Sequence, residues 1–255
     1  MRFSNRVVLI TGAAKGIGQG CADVFHDAGG QIALLDRDSD AGLALTDRLN
    51  TVRSGSARFY DCDVADAEKL TKTVHQVAKD FGRLDCLINN AGIHPPDASL
   101  ADTSLADLMR VIQVNFVSTF VASRAAIEHL RQTRGSIVNM SSMTAVLGQK
   151  NSAAYAATKG AQLSFTKSLA LELGSDGVRV NAVLPSNVDT PLMRSWAASL
   201  PDPEFALRRI AELQVFGRMA TVEEIGKVCL FLASDDASFV TGQGIEVEGG
   251  ASLDY

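Results

Sequence analysis

The chain has 255 residues, 46% hydrophobic and 21% charged, with a formal net charge of −5 at pH 7. That composition suits a soluble globular protein with one large α/β domain and a substantial core. The negative balance and the scattered Lys and Arg argue against nucleic acid or an anionic membrane as partner, and the four-residue apolar run near the start is too short for a signal peptide or a span, so a cytoplasmic location is expected.

Val7-Val8-Leu9-Ile10 is a continuous apolar run that stops at Thr11-Gly12, as in a strand buried on both faces of a parallel sheet. A helix is predicted over 16–29, a second strand over 32–35 ending in Asp36, and a helix over 39–50. A weaker strand, 57–60, closes with Asp61-Cys62-Asp63. Residues 66–81 form an amphipathic helix with Leu70, Val74, Val77 and Phe81 on one face. A fourth strand, 84–88, precedes Asn89-Asn90-Ala91-Gly92, and a long helical region runs from about 104 to 131. Strand five is 136–140, a helix covers 152–174 with Gly174 as its cap, and strand six is 178–184, cut off by Pro185. Residues 186–218 hold three of the six prolines and read as irregular, followed by a helix over 221–233 and a last strand over 244–247. Strands alternating with helices of this length predict βαβ units: a three-layer, doubly wound parallel sheet of the Rossmann type in a single domain, 1–255.

The four cysteines, Cys21, Cys62, Cys86 and Cys229, are far apart with no C-x-x-C pair and read as reduced and structural. No cluster of His, Cys and carboxylates stands at ligand spacing, so no metal site is expected.

Gly12-Ala13-Ala14-Lys15-Gly16-Ile17-Gly18 lies between the first strand and the first helix. Glycines there permit a tight turn and close backbone approach to a pyrophosphate, and the helix N-terminus offers free N–H groups. Asp36, at the end of strand two, can accept both adenosine ribose hydroxyls of NAD and would repel the 2′-phosphate of NADP. Lys15 pulls the other way, because a cation beside the turn could meet that phosphate. Asp36 weighs more, since its position faces the ribose. Asp63 could accept from the adenine amino group or cap the following helix.

Tyr155 and Lys159 stand four apart on a predicted helix, so both point the same way, with Ser142 thirteen residues upstream. A fixed positive charge favours the phenolate, and a tyrosine so tuned can take a proton from an alcohol that Ser142 holds. Taken alone, the Tyr-x-x-x-Lys spacing also fits a half-exposed helix with a solvated lysine.

Assembled, these residues resemble a classical short-chain dehydrogenase/reductase essentially end to end. The matching motifs are Thr11-Gly12-x-x-x-Gly16-x-Gly18, Asp63, Asn89-Asn90-Ala91-Gly92, Asn115, Ser142, Tyr155-x-x-x-Lys159, Asn181, Pro185 and Gly249-Gly250. The resemblance implies catalysis by Ser142, Tyr155 and Lys159, with Asn115 holding a water for a proton relay. It implies NAD contacts from Gly12 through Gly18, Ile17 included, from Asp63-Val64, from Asn89, Ala91 and Gly92 in a segment that lies beneath the adenosine ribose and braces the sheet, and from Tyr155 and Lys159, the lysine bonding the nicotinamide ribose. Pro185, Val188 and Thr190 would border the nicotinamide. Where the family has Pro-Gly, this chain has Pro185-Ser186.

Shorter segments resemble the L-fucose dehydrogenase group that includes 17β-hydroxysteroid dehydrogenase type 14. They are Phe81 to Cys86, Ile93-His94-Pro95-Pro96, Leu200-Pro201-Asp202-Pro203, Gly217-Arg218-Met219 and Gly249 to Tyr255. The expected reaction is hydride transfer between a secondary alcohol, such as a sugar or polyol, and NAD. An NADPH-dependent carbonyl or 3-oxoacyl reductase, a hydroxysteroid dehydrogenase and a non-catalytic dinucleotide-binding regulator are the alternatives. The loops after strands four to six offer His94, Gln149, Asn187 and Trp196 to the substrate, while His26, His75 and His129 read as solvated. The resemblance also implies a homotetramer joined through the two long helices and the last strand. Ala153, Ala154, Ala156, Ala157 and Ala161 would permit close packing there or within one subunit.

Overall fold

The fold comes from a computed structural model that describes residues 2–95, 97–198 and 200–253. The expectations that touch Pro96 and the last two residues, Asp254 and Tyr255, lie outside the described residues.

One parallel sheet carries the domain. Its strands are β1 (Val7–Thr11), β2 (Gln31–Asp36), β3 (Ala57–Asp61), β4 (Cys86–Asn89), β5 (Ser136–Met140), β6 (Arg179–Pro185) and β7 (Gly244–Val247), in the order β3-β2-β1-β4-β5-β6-β7. Successive side chains of a strand point to opposite faces. In β1, Val8 and Ile10 therefore enter one apolar cluster and Val7 and Leu9 the other. This explains the unbroken apolar run: both faces are covered, so no position is left for a polar residue.

Helices α1 (Gly16–Asp27), α2 (Ser39–Val52) and α9 (Val222–Ala233) bring Cys21, Phe25, Leu45 and Ile225 to the first cluster. Helices α3 (Ala67–Phe81), α5 (Ser118–Thr133) and α6 (Ala153–Leu173) bring Leu70, Val74, Ala122 and Leu169 to the second. The chain thus reverses direction across the sheet between β1 and β4. That is the topological switch point where such sheets bind ligands.

Four local expectations change. The long helix of residues 104–131 is α4 (Leu105–Ile112), a π-helical turn (Gln113–Val117) and α5. The run Leu105–Thr133 has the length and apolarity of a membrane span, yet Val111, Ala122, Ala126 and Leu130 are buried in the protein. Gly174 is the C-cap of the 152–174 helix as expected, but it stays right-handed, and the left-handed turn comes at Gly177 with φ 75°. Residues 186–218 are not irregular. They contain α7 (Pro191–Ala198) and α8 (Pro203–Glu212). Proline reads as a breaker, but each of these prolines opens its helix, where its missing N–H costs nothing. Asp202 caps α8 by accepting from the Phe205 N–H at 2.9 Å. Finally, His26 is buried and shares a 2.9 Å hydrogen bond with Ser56, whereas His75 is exposed as expected and meets the half-buried His129 at 2.9 Å across α3 and α5.

Candidate active site

A cleft of 620 Å³ opens at the carboxyl ends of β1, β2, β4, β5 and β6. Gly12, Lys15, Gly16, Ile17, Asp36, Asp63, Val64, Ala91, Gly92, His94, Ser142, Tyr155, Lys159, Pro185 and Thr190 line it. The sequence scatters these positions over nearly 180 residues, and the parallel sheet gathers them because every strand ends on the same side.

The nucleotide end is built mainly from backbone. Gly12 has φ 62°, and a Cβ there would lie 2.8 Å from the Ala91 Cα. Gly18 does not line the cleft; it supports the turn from below, where a Cβ would sit 2.1 Å from the Gly12 carbonyl oxygen. Lys15 occupies the N-cap of α1 without a side-chain cap, whereas α2, α3, α4, α8 and α9 are each capped by Asp, Ser or Thr. The first N–H groups of α1 therefore point into the cleft without a capping side chain, as an anion site needs. The chain's residues thus fit a dinucleotide pyrophosphate.

The Asp36 carboxylate is fixed at the mouth by the N–H groups of Ala14 (2.9 Å) and Asp38 (3.0 Å). Lys15 is paired with Asp38 at 2.6 Å, a contact that raises the lysine pKa and lowers that of the aspartate. Arg37 stands 3.8 Å from Asp63, which also accepts from the Ala65 N–H at 3.0 Å. The true cap of α3 is Asp66. Three carboxylates (Asp36, Asp38, Asp63) against two cations (Lys15, Arg37) leave this end of the cleft with a net charge of −1.

Asn89 does not reach the cleft. It is buried, and its amide donates to Ser123 (3.0 Å) and Asn139 (2.9 Å), whose own amide donates to Thr166 at 2.8 Å. It braces β4 and β5 against α5 and α6, and its neighbour Asn90 lines the cleft in its place, donating to the Thr11 and Gly12 carbonyls. Val188 is buried in a bridge to Ala220 rather than exposed to the cleft.

At the catalytic end, the Ser142 hydroxyl beside Tyr155 favours the phenolate, but burial dominates and pushes the phenol up to about 12. Lys159 lies beside it, with Nζ 5.6 Å from the ring centre. Burial lowers its ammonium to about 7, and it donates to the Met140 carbonyl at 2.6 Å and to Gln162 Oε1 at 3.1 Å. In the free protein, burial therefore works against both charged forms.

Asn115 sits in the π-helical turn, buried. Its side-chain amide donates to the Ile93 carbonyl (3.0 Å) and accepts from the Ile93 N–H (2.8 Å), pinning the loop after β4. Its own carbonyl accepts from Thr119 Oγ1 (3.0 Å) and Gln162 Nε2 (2.9 Å). A carbonyl has two lone pairs. Both protein donors therefore meet the same carbonyl, which ties the π-helical turn to α5 and α6.

At the substrate end, His94 packs its ring 4.4 Å from that of Tyr155. Its Nδ1 lies 2.7 Å from the Pro95 carbonyl, an acceptor, so Nδ1 carries a hydrogen, and Nε2 lies 3.5 Å from Ser152 Oγ. The other substrate candidates stand elsewhere. Gln149 is exposed beyond the 3₁₀ turn Met143–Ala145. The Asn187 amide turns away to Gln214 at 3.1 Å. Trp196 lies outside the lining, while Leu192 and Ser195, three apart on α7, face the cleft.

Three residues escaped sequence reasoning. Gln162 follows Lys159 by three and shares its helix face, a spacing that could have flagged it. Asp38 lies in a turn whose partner is brought from 23 residues away. Gln214 gave no sequence signal. It is buried at the end of α8 and accepts from Ser186 Oγ (2.9 Å) and Asn187 (3.1 Å) while donating to the Ile210 carbonyl (2.6 Å). The serine that replaces the usual glycine is thus bonded to α8 through its hydroxyl.

Comparison with known proteins agrees with this geometry. Residues 12–252 match a family model described as enoyl-(acyl carrier protein) reductase. The L-fucose dehydrogenase of Oryctolagus cuniculus is 42% identical, the alignment covering 99% of this chain and 87% of that protein. The meso-2,3-butanediol dehydrogenase of Serratia marcescens is 38% identical, over 99% of this chain and 96% of its own. The solved structure of ElxO with NADP bound superposes with a TM-score of 0.90 at 31% identity, covering 98% of this chain and 99% of that one. The chain belongs to the classical short-chain dehydrogenase/reductase family and is an oxidoreductase.

Proposed function

We propose that the protein oxidises a secondary alcohol, of the sugar or polyol class, with NAD. The observation that carries this reading is the Ser142–Tyr155–Lys159 cluster at the end of the cleft opposite Asp36. Gly12, Gly16, Ile17, the N-terminus of α1, Asp36, Asp63, Val64, Ala91, Gly92, Pro185 and Thr190 would hold the cofactor. When bound, NAD supplies the hydride acceptor. Ser142 and Tyr155 hold the substrate oxygen, and Tyr155 takes its hydroxyl proton as the carbon is oxidised. Lys159 supplies positive charge beside the tyrosine. Asn115 acts from behind, by fixing the backbone of Ile93 next to His94.

The choice of NAD rests on the net charge of −1 at the adenosine end, since a 2′-phosphate would add about two more negative charges there. The alcohol class rests on the polar atoms around Tyr155. His94, Ser186 and Ser195 line that end beside Ile93 and Leu192, a mixture that suits a hydroxylated ring better than a wholly apolar one. The likeness to L-fucose and butanediol dehydrogenases points the same way. The test is a steady-state panel of aldoses, polyols and hydroxysteroids, each with NAD and with NADP. Turnover of sugars or diols with NAD is expected. Preference for NADP, or for steroids alone, would overturn the cofactor or the substrate class respectively.

The same reading includes a cytoplasmic homotetramer. The four cysteines are free and buried, as suits a reducing compartment. Ala153 and Ala157 on α6 are exposed, as are Phe120 and Leu171, and β7 is an edge strand. Exposed small and apolar residues on the two long helices suit contact with another copy. Light scattering after size exclusion should give four chains, and a monomer would sink this part.

A further inference from the structure

Lys159 is a buried cation that the structure surrounds with neutral acceptors. Its Nζ donates to the Met140 carbonyl and to Gln162 Oε1. The groups packed around it bring no carboxylate. Met140–Ser142 at the end of β5 and the turn Gln113–Val117 contain no titratable side chain. On α6 the titratable neighbour is Tyr155, and from the loop after β4 comes His94, its ring tilted against that of the tyrosine. What keeps a proton on a buried amine in such a place is hydrogen bonding to the charged form.

Gln162 is fully buried and, among the described residues, supplies the side-chain acceptor for Nζ. Its amide cannot turn over. Nε2 spends its two hydrogens on the Asn115 carbonyl and on Thr119 Oγ1, each at 2.9 Å. Exchanging oxygen and nitrogen would set two carbonyl oxygens face to face and aim N–H groups at the ammonium. The oxygen is therefore committed to Lys159 by bonds made to a different helix.

We propose that Gln162 is a positioning residue for Lys159: it fixes the place of the ammonium and sets the pH range over which that charge persists. The π-helical turn is part of the device, because Asn115 and Thr119 at and beyond it hold the amide in orientation. The proposal rests on reading Tyr155 and Lys159 as the catalytic pair.

The test follows the Lys159 side chain directly, in the full-length cofactor-free protein labelled with carbon-13 at lysine Cε and titrated by NMR, its resonance assigned by loss in Lys159→Met. Gln162→Leu removes the acceptor and should move the Lys159 titration down by about one pH unit; Gln162→Glu places a carboxylate beside the ammonium and should move it up by about one unit or more. In alcohol oxidation, substrate KM should change less than about threefold in either variant. A residue that only filled space would not give opposite shifts. Titrations unmoved in both variants, or moved the same way, would overturn the proposal. If Gln162→Leu does not fold, the nearly isosteric Gln162→Glu decides alone, by an upward shift or its absence. Retained turnover in Lys159→Ala would defeat the catalytic reading and leave the titration result standing. An inactive Lys159→Ala with unshifted titrations would defeat the role of Gln162 alone.

Discussion

The two ends of the cleft are made in different ways. The nucleotide end is largely one local segment, the β1–α1 turn, backed by Asp36 and by Asn90. Its chemistry is backbone N–H groups and a conformation that only glycine tolerates. The substrate end is assembled from side chains on three distant segments: the loop after β4, the start of α6, and the α7–α8 region tied down by Gln214. Local construction makes a site rigid and tolerant of change elsewhere. Assembly from afar makes it adjustable, because each segment can vary without disturbing the turn.

The sharpest way to break this contrast is at Tyr155, the proposed base at the assembled end. Tyr155→Phe should lower turnover by roughly two or more orders of magnitude. Cofactor affinity, measured by quenching of Trp196 fluorescence, should be nearly unchanged. Turnover at the native rate would remove Tyr155 from its role.

A single methyl group at the local end should reverse the pattern. Gly18→Ala drives a Cβ against the Gly12 carbonyl oxygen. Overpacking of this kind costs about 1–3 kcal/mol. Cofactor affinity is therefore expected to fall about tenfold or more, with a lowered Tm. Unaltered affinity in calorimetry would show that the turn does not form the pyrophosphate site.

Charge at the same end is the next lever. Asp38→Asn keeps an acceptor for the cap of α2 but releases Lys15. Affinity for NADPH relative to NADH should rise by roughly tenfold, the scale of one nearby charge. The double variant with Lys15→Ala should cancel that gain. A gain that survives it would point to Arg37 instead.

The pH dependence follows from the burial of the catalytic pair. The base of alcohol oxidation must lose its proton, and Tyr155 is held up at about 12. Its reactive form therefore grows as pH rises from about 7 to 9. Lys159, lowered to about 7, loses its charge over the same range and works against the rise. Oxidation should increase with pH because the proposed base is the tyrosine. A fall above about pH 7 would mean that the lysine charge governs the rate.

The smallest effect is expected at Ser186→Gly, which deletes the hydrogen bond to Gln214. A net loss of about 1 kcal/mol should raise substrate KM about fivefold while cofactor affinity holds. Equal loss of both would mean that the two ends are not independent.

Much of this was legible in the chain as written. Continuous apolar runs such as Val7–Ile10 announce strands covered on both faces, and the glycine turn after the first of them announces a phosphate site. Those signals are local: a few consecutive residues contain the whole physical cause. The α7–α8 region was not legible, because Pro191 and Pro203 are breakers or helix openers according to the capping contacts around them. Asn89, Asn187 and Trp196 were expected at the cleft and do not line it, because a side chain's direction depends on what packs beside it. Asn89 turned to Asn139, and Asn187 to Gln214.

The sequence by itself determined the strand–helix alternation, the single parallel sheet and the residue types of the catalytic cluster. These follow from periodicity and from spacing within one element. Only the tertiary structure decided that Asp38 holds Lys15, that Gln214 holds Ser186, and that Gln162 stands between Asn115 and Lys159. Asp38–Lys15, Gln214–Ser186 and Gln162–Asn115 are hydrogen bonds between segments far apart in the chain, and the last of them orients the Gln162–Lys159 bond within α6. Such pairings are chosen by how the helices pack on the sheet, and a linear pattern does not contain that choice.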